Sequence, residues 1–253
     1  MLDASVVMEE KEKLKLKLEP DEALICVFGF ISTTKRPFSI FEAFHQCLKA
    51  GKKATLVFVG ELKDDCTGLS QMVRRYKLED KVKFTGYTTK ETFLSYLYAS
   101  DICISLRYPT MGETSAVLMR AMSIGKPSIV TDVGSFQELD SDAVIKIGHG
   151  ETEIDELTGA LCRLLCDKIY AKRIAENAFR YAKNHLQIED TANSLVGFIK
   201  QAGIFTQIQK NDIYISVKER FLKRIRDTGA ELHPDVISNI VDNLVAVFKG
   251  EMS

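Results

Sequence analysis

The chain lacks the features that would mark it for a membrane span, a nucleic acid or an oxidising compartment. It has no run of 18 apolar residues, which excludes a spanning helix. It has no surplus of either charge: 34 Lys and Arg stand against 35 Asp and Glu. A protein that grips a nucleic-acid backbone carries a basic excess, so no such partner is expected. Any phosphate site must then be local. The six Cys form no CxxC pair, and Cys26 and Cys103 lie inside apolar runs as small core hydrophobes. The four His (His45, His149, His185 and His233) show no metal-ligand spacing. Neither GxSxG, HExxH, the Walker A pattern nor GxGxxG occurs. Glu9 and Glu10 precede any basic residue, unlike a secretory signal. Together these absences predict a cytoplasmic protein. Basic helical stretches in the C-terminal third also suit docking at the inner face of a membrane.

What is present is a repeated alternation of two patterns. Apolar runs at Ala23–Ile31, Ala54–Gly60, Val82–Gly86, Asp101–Leu106, Ser128–Thr131 and Val144–Ile147 read as strands. Helical patterns at Pro37–Ala50, Leu69–Tyr76, Lys90–Tyr98 and Gly112–Ile124 fall between them. Pro37 stands at a first helical position, where its missing N–H costs nothing. Strands apolar on both faces and alternating with helices predict a doubly wound parallel α/β sheet of six strands, Rossmann-like. Residues 1–22 read as an entry segment or linker, 23–202 as the sheet domain and 203–253 as a helical extension. After Gly150 only helices are expected, at about 152–166, 168–184, 188–202, 213–226 and 234–249. Such folds bind ligands at the carboxyl ends of their strands, where strand order reverses. The residues just after strands are therefore the candidates.

Four loops qualify. Gly29 ends the first strand, and Ser32-Thr33-Thr34-Lys35-Arg36 follow before a helix. A glycine permitting close backbone approach, a helix N-terminus and two cations suit a phosphate. A solvated turn with surface cations fits the same residues equally well. After the fourth strand comes Arg107-Tyr108-Pro109-Thr110-Met111-Gly112-Glu113-Thr114-Ser115. Here the Thr114 and Ser115 N–H groups can hold a diphosphate, and Glu113 can accept bonds from sugar or ribose hydroxyls. Plain helix capping is the alternative. After the fifth strand, Ser135 and Glu138 have capping-box spacing, which favours a structural use. Tyr87, after the third strand, suits either a nucleobase or an interface.

The order of these elements resembles the C-terminal domain of GT-B glycosyltransferases of family four, of the bacterial polysaccharide type. The resemblance covers about Ala23 to Ala202. It rests on Gly29 followed by Lys35, on the strand end Val82–Tyr87, and above all on ASDICISLRYPTMGETSAVLMRAMSIGKPSIVTDVGSFQEL from Ala99 to Leu139. It implies a UDP- or GDP-linked sugar donor, transfer with retention and no metal. Lys35 and Arg36 would carry the diphosphate charge, and Gly112 to Ser115 would meet diphosphate and sugar. Lys35 and Glu113 would be the catalytic pair. Gly29, Lys35, Arg36, Tyr87, Gly112, Glu113, Thr114 and Ser115 would bind the donor. The acceptor, a glycan or lipid-linked saccharide, would sit on an N-terminal domain or partner chain, since there is no room for one before Ala23.

The chain departs from the family pattern in places. Arg120 stands before Ala121-Met122 where the pattern has Glu, Glu113 is displaced by one residue from the first patterned Glu, and Phe30 replaces a frequent Arg. These departures keep open a non-catalytic binding or scaffolding module of the same fold. A sugar-nucleotide epimerase is a weaker alternative, because no suitable His or carboxylate pair is evident.

Overall fold

The computed structural model describes residues 2–19 and 21–201. Six strands run β1 (Ala23–Phe28), β2 (Ala54–Val59), β3 (Val82–Phe84), β4 (Ile102–Ser105), β5 (Ser128–Thr131) and β6 (Ile145–Ile147). The helices are α1 (Ala4–Lys13), α2 (Pro37–Lys49), α3 (Gly68–Arg75), α4 (Lys90–Ala99), α5 (Ala116–Ser123), α6 (Glu153–Cys166), α7 (Lys168–His185) and α8 (Ile188–Gln201). The strands form one sheet in the order β3-β2-β1-β4-β5-β6, and every pair is parallel. This is the expected doubly wound sheet.

Why these segments form strands is visible in their burial. Side chains alternate across a strand, and in β1, β2 and β4 both alternating sets are apolar. Ile25, Val27, Leu56, Phe58, Ile102 and Ile104 face one core, shared with α2, α3 and α6. Leu24, Cys26, Phe28, Val57, Val59 and Cys103 face the other, shared with α4 and α5. Each fully buried Leu, Ile or Phe contributes about 2 kcal/mol, so a central strand loses heavily from any polar substitution on either face.

The fifth helix begins at Ala116, where the loop ending in Ser115 is expected to open it, and not at Gly112, where the helical pattern starts. Ser115 is its N-cap, and the residues before it form an open loop. Residues 1–22, an entry segment that could be a short helix or a linker, contain the helix α1. Leu14, Leu16 and Leu18 pack against the second core, Lys11 pairs with Asp101 at 2.7 Å, and Leu2 N–H donates to the Ile124 carbonyl at 3.1 Å. By compactness the chain divides into Met1–Asn184 and His185–Ser253. That assigns α8 to the second unit, although the sequence pattern groups it with the sheet. Beyond Ala182 no described residue is buried. The helices expected at 213–226 and 234–249 lie outside the described residues.

Candidate functional site

The strand order reverses between β1 and β4, the two central neighbours that lead to opposite halves of the sheet. Loops leaving their carboxyl ends must diverge there, and the opening between them is where such sheets bind ligands. The two richest candidate loops in the sequence flank this point.

The first loop turns at Gly29, with φ +88. Its N–H still bonds the Val59 carbonyl, so the turn hangs directly from the sheet. A Cβ on Gly60, after β2, would lie 2.2 Å from the Gly29 carbonyl oxygen. The two strand ends approach so closely that only glycine fits. The Lys35 amine folds back over this turn and donates to the Phe28 carbonyl, and a Cβ on Gly29 would come within 3.0 Å of that amine. Burial pushes the Lys35 ammonium down to about 8, and the positive charge of Arg107 pushes the same way. The loop is braced from outside by Asp65, which accepts from Thr33 N–H at 2.9 Å and from the Thr33 hydroxyl at 2.6 Å.

Arg36 does not share this arrangement. It caps α2 in a left-handed conformation, φ 55, and its Nε donates to both carboxylate oxygens of Glu153 at 2.9 and 3.0 Å. The Glu153 side chain is 1 % exposed. Arg36 is thus the partner of a buried carboxylate at the start of α6, which the sequence pattern did not predict.

The second loop is rooted by the Arg107 N–H on the Thr131 hydroxyl, 3.0 Å. It is tied to the first loop by the Tyr108 N–H on the Thr34 carbonyl, 2.8 Å. The Tyr108 ring stacks on His149 with centroids 4.0 Å apart. This brings the loop after β6 to the same end of the sheet, where His149 reads in the sequence only as a loop residue. Glu113 accepts from the Arg107 guanidinium, from Met111 N–H at 2.7 Å and from the Thr110 hydroxyl at 3.2 Å. Its own N–H, the guanidinium and the Met111 N–H hold its carboxyl down at about 2. Glu113 is therefore ionised and already engaged inside its loop. Ser135 does not form a capping box. Its hydroxyl donates to the Glu113 carbonyl at 2.9 Å, from a short 3-10 turn spanning Gly134–Glu138.

The remaining candidates separate. The Ser115 hydroxyl caps α5 through Leu118 N–H at 3.2 Å and is buried. Gly112 and Thr114 are exposed on the loop before it. The first-turn N–H groups of α5 have no intrahelical carbonyl, and the Ser115 hydroxyl takes that of Leu118. A recess of about 10 Å³, room for one water, lies under the loops and is lined by Phe28, Lys35, Ser105 and Ser115 among others. Tyr87 is 83 % exposed at the end of the edge strand β3. It stands two strand spacings from β1, roughly 10 Å. Among the described residues, no group of three or more His, Cys, Asp or Glu could hold a metal ion. No described helix is long and apolar enough to cross a membrane.

With this geometry in view, the sequence model described as glycosyl transferases group 1 matches residues 8–181. The chain belongs to the glycosyl transferases group 1 family. Alpha-D-kanosaminyltransferase of Streptomyces kanamyceticus is 23 % identical over 187 residues, covering 73 % of this chain and 47 % of the relative. The chain spans about half the length of the curated relatives it matches. Among solved structures, the C-terminal domain of a glycosyl transferase group 1 family protein, LpcC, from Francisella tularensis has a TM-score of 0.63 at 21 % identity. It covers 74 % of this chain and the whole of that domain. The Anabaena protein Alr3699/HepE, solved in complex with UDP, has a TM-score of 0.66 at 21 % identity, over 78 % of this chain and 54 % of that one. These likenesses place the chain on the GT-B fold, in agreement with the resemblance drawn from its motifs.

Proposed function

We propose that this chain is the donor-binding part of a glycosyltransferase that takes a nucleoside-diphosphate sugar, UDP- or GDP-linked. The single observation that carries the reading is the Lys35 ammonium, folded over the Gly29 turn at the switch point and partly desolvated, with no carboxylate among the described residues paired to it. A cation kept at that cost suits an incoming anion. In this reading Lys35 neutralises the diphosphate and its growing charge as the sugar departs. The Gly29 backbone lets the phosphates approach. The first turn of α5, after Gly112, Thr114 and Ser115, offers N–H groups, and Glu113 accepts from sugar hydroxyls. Tyr87, at the far end of the same edge of the sheet, packs on the base. The UDP bound to Alr3699/HepE on the same fold supports the choice of ligand class.

The glycosyl group would pass with retention to a glycan or lipid-linked saccharide held by an N-terminal domain or partner chain. The diphosphate charge would be met by side chains without a metal. The test is thermal shift with UDP, GDP and their sugars in EDTA. A ligand at 100 times its Kd adds about 2.7 kcal/mol of stability, and Lys35→Ala should remove most of that gain. Equal protection of the Lys35→Ala protein would sink the reading.

One observation favours a second reading, a binding module without transfer: Glu113 is already satisfied by Arg107 within its own loop. Release of nucleoside diphosphate from a bound donor sugar, measured with the acceptor-binding part present, separates the two.

A further inference from the structure

Three cationic side chains lie on the loops leaving β1 and β4: Lys35, Arg36 and Arg107. They are not equivalent. Drawing Arg36 toward a ligand would strand the buried Glu153 carboxylate, so Arg36 is committed to the fold. Arg107 is committed only to its own loop. Its root is fixed by the bond from its N–H to Thr131, its Nε is buried without a hydrogen-bond partner among the described residues, and its guanidinium rests on Glu113. Lys35 feels its charge directly. The two loops thus carry two cations that repel one another, and Glu113, held from the other side by Met111 and Thr110, pairs with Arg107. A ligand with two anionic groups would satisfy both.

We propose that Arg107 is the second cation of the diphosphate site, and that Glu113 is its internal stand-in until the donor arrives. The incoming diphosphate takes the guanidinium, and the released Glu113 carboxylate turns to the hydroxyls of the transferred sugar. No covalent bond changes in this exchange. The pair thereby links anion binding to sugar recognition: the carboxylate becomes available when the diphosphate is in place. The inference rests on the donor reading above, and it assigns to Arg107 the role the sequence pattern gave to Arg36.

The test uses the full chain and calorimetric binding of inorganic pyrophosphate, UDP, GDP and the matching donor sugar near pH 7. Charge-assisted hydrogen bonds imply a loss of about tenfold or more for Arg107→Ala, with pyrophosphate as well as the nucleotide. Arg107→Lys should recover part of it, as a point charge without the fork. Glu113→Gln should bind pyrophosphate more tightly than wild type, because the competitor is gone, while its preference for donor sugar over bare diphosphate falls. This opposite movement distinguishes exchange from a pair that merely shapes the loop, since breaking a shaping pair from either side weakens binding. Should Arg107→Ala fail to fold, Arg107→Lys and Glu113→Gln carry the same comparison. Wild-type affinity in the Arg107 variants, or weaker pyrophosphate binding in Glu113→Gln, overturns the proposal. If pyrophosphate and both nucleotides fail to bind the wild-type chain, the donor reading itself falls. If Lys35→Ala abolishes binding and Arg107→Ala does not, only the present inference falls.

Discussion

The loops leaving β1 and β4 flank the same opening but hold their charges differently. The β1 loop is built on backbone. Gly29 and Gly60 are in near contact, the Lys35 amine rests on a main-chain carbonyl, and Asp65 braces Thr33 from outside. The β4 loop is built on side chains that neutralise one another, Arg107 against Glu113, with Thr110 and Ser135 as supports. A charge held by backbone is placed before any ligand comes. A charge held by an opposite charge in the same loop can be exchanged for a better partner. One side of the site is thus preset and the other can respond.

The sharpest way to break this comparison is to disturb the preset side at its base. Gly60→Ala would drive a Cβ to 2.2 Å from the Gly29 oxygen at a residue with φ +139. The expected loss is about 3 kcal/mol or more of unfolding free energy, read by chemical denaturation. A Gly60→Ala protein as stable as wild type would show that the β1 turn is not rigid.

A smaller effect tests which cation belongs to the fold. Arg36→Ala leaves Glu153 buried and unpaired and should cost about 2–3 kcal/mol. The left-handed backbone penalty is shared by both residues and cancels. Stabilisation by UDP or GDP should survive in the variant. Loss of that stabilisation with an unchanged Tm would return Arg36 to the ligand.

The smallest effect is a pH dependence. Ligand-free Lys35 loses its proton near pH 8, and a bound anion raises that value. Nucleotide affinity should therefore be full below pH 8 and fall above it, by at most about tenfold per pH unit. Lys35→Arg should flatten the curve. On folding the sign is reversed. The unfolded chain keeps this proton up to its ordinary 10.5, so the cost of the buried ammonium is present below pH 8 and is relieved between 8 and 10.5. Calorimetric titration across pH 7 to 9.5 reads the binding arm. A flat wild-type profile would remove Lys35 from the anion site.

Much of this was legible in the residues. Strand runs apolar on both faces specify a parallel sheet, and Gly29 with Lys35 a short loop later marks a backbone turn carrying a cation. The run from Ala99 to Leu139 carries the family. Boundaries erred where local pattern and packing disagree. Gly112 to Thr114 continue a helical pattern, but Ser115 caps α5 only after the loop has turned for its own hydrogen bonds. Leu14, Leu16 and Leu18 resemble a linker until α1 brings them onto the second core.

By itself the sequence determined the layer architecture, the loops that face the opening and the family, because each depends on periodicity or on residues adjacent in the chain. Which side chain answers which was decided by tertiary structure alone. Arg36 finds Glu153 across 117 residues, Tyr108 finds His149, and Arg107 comes within reach of Lys35. Those pairings depend on strand order, and strand order places residues far apart in sequence at one end of the sheet. A charge's partner there, and so its availability to a ligand, follows from the fold and not from its neighbours in the chain.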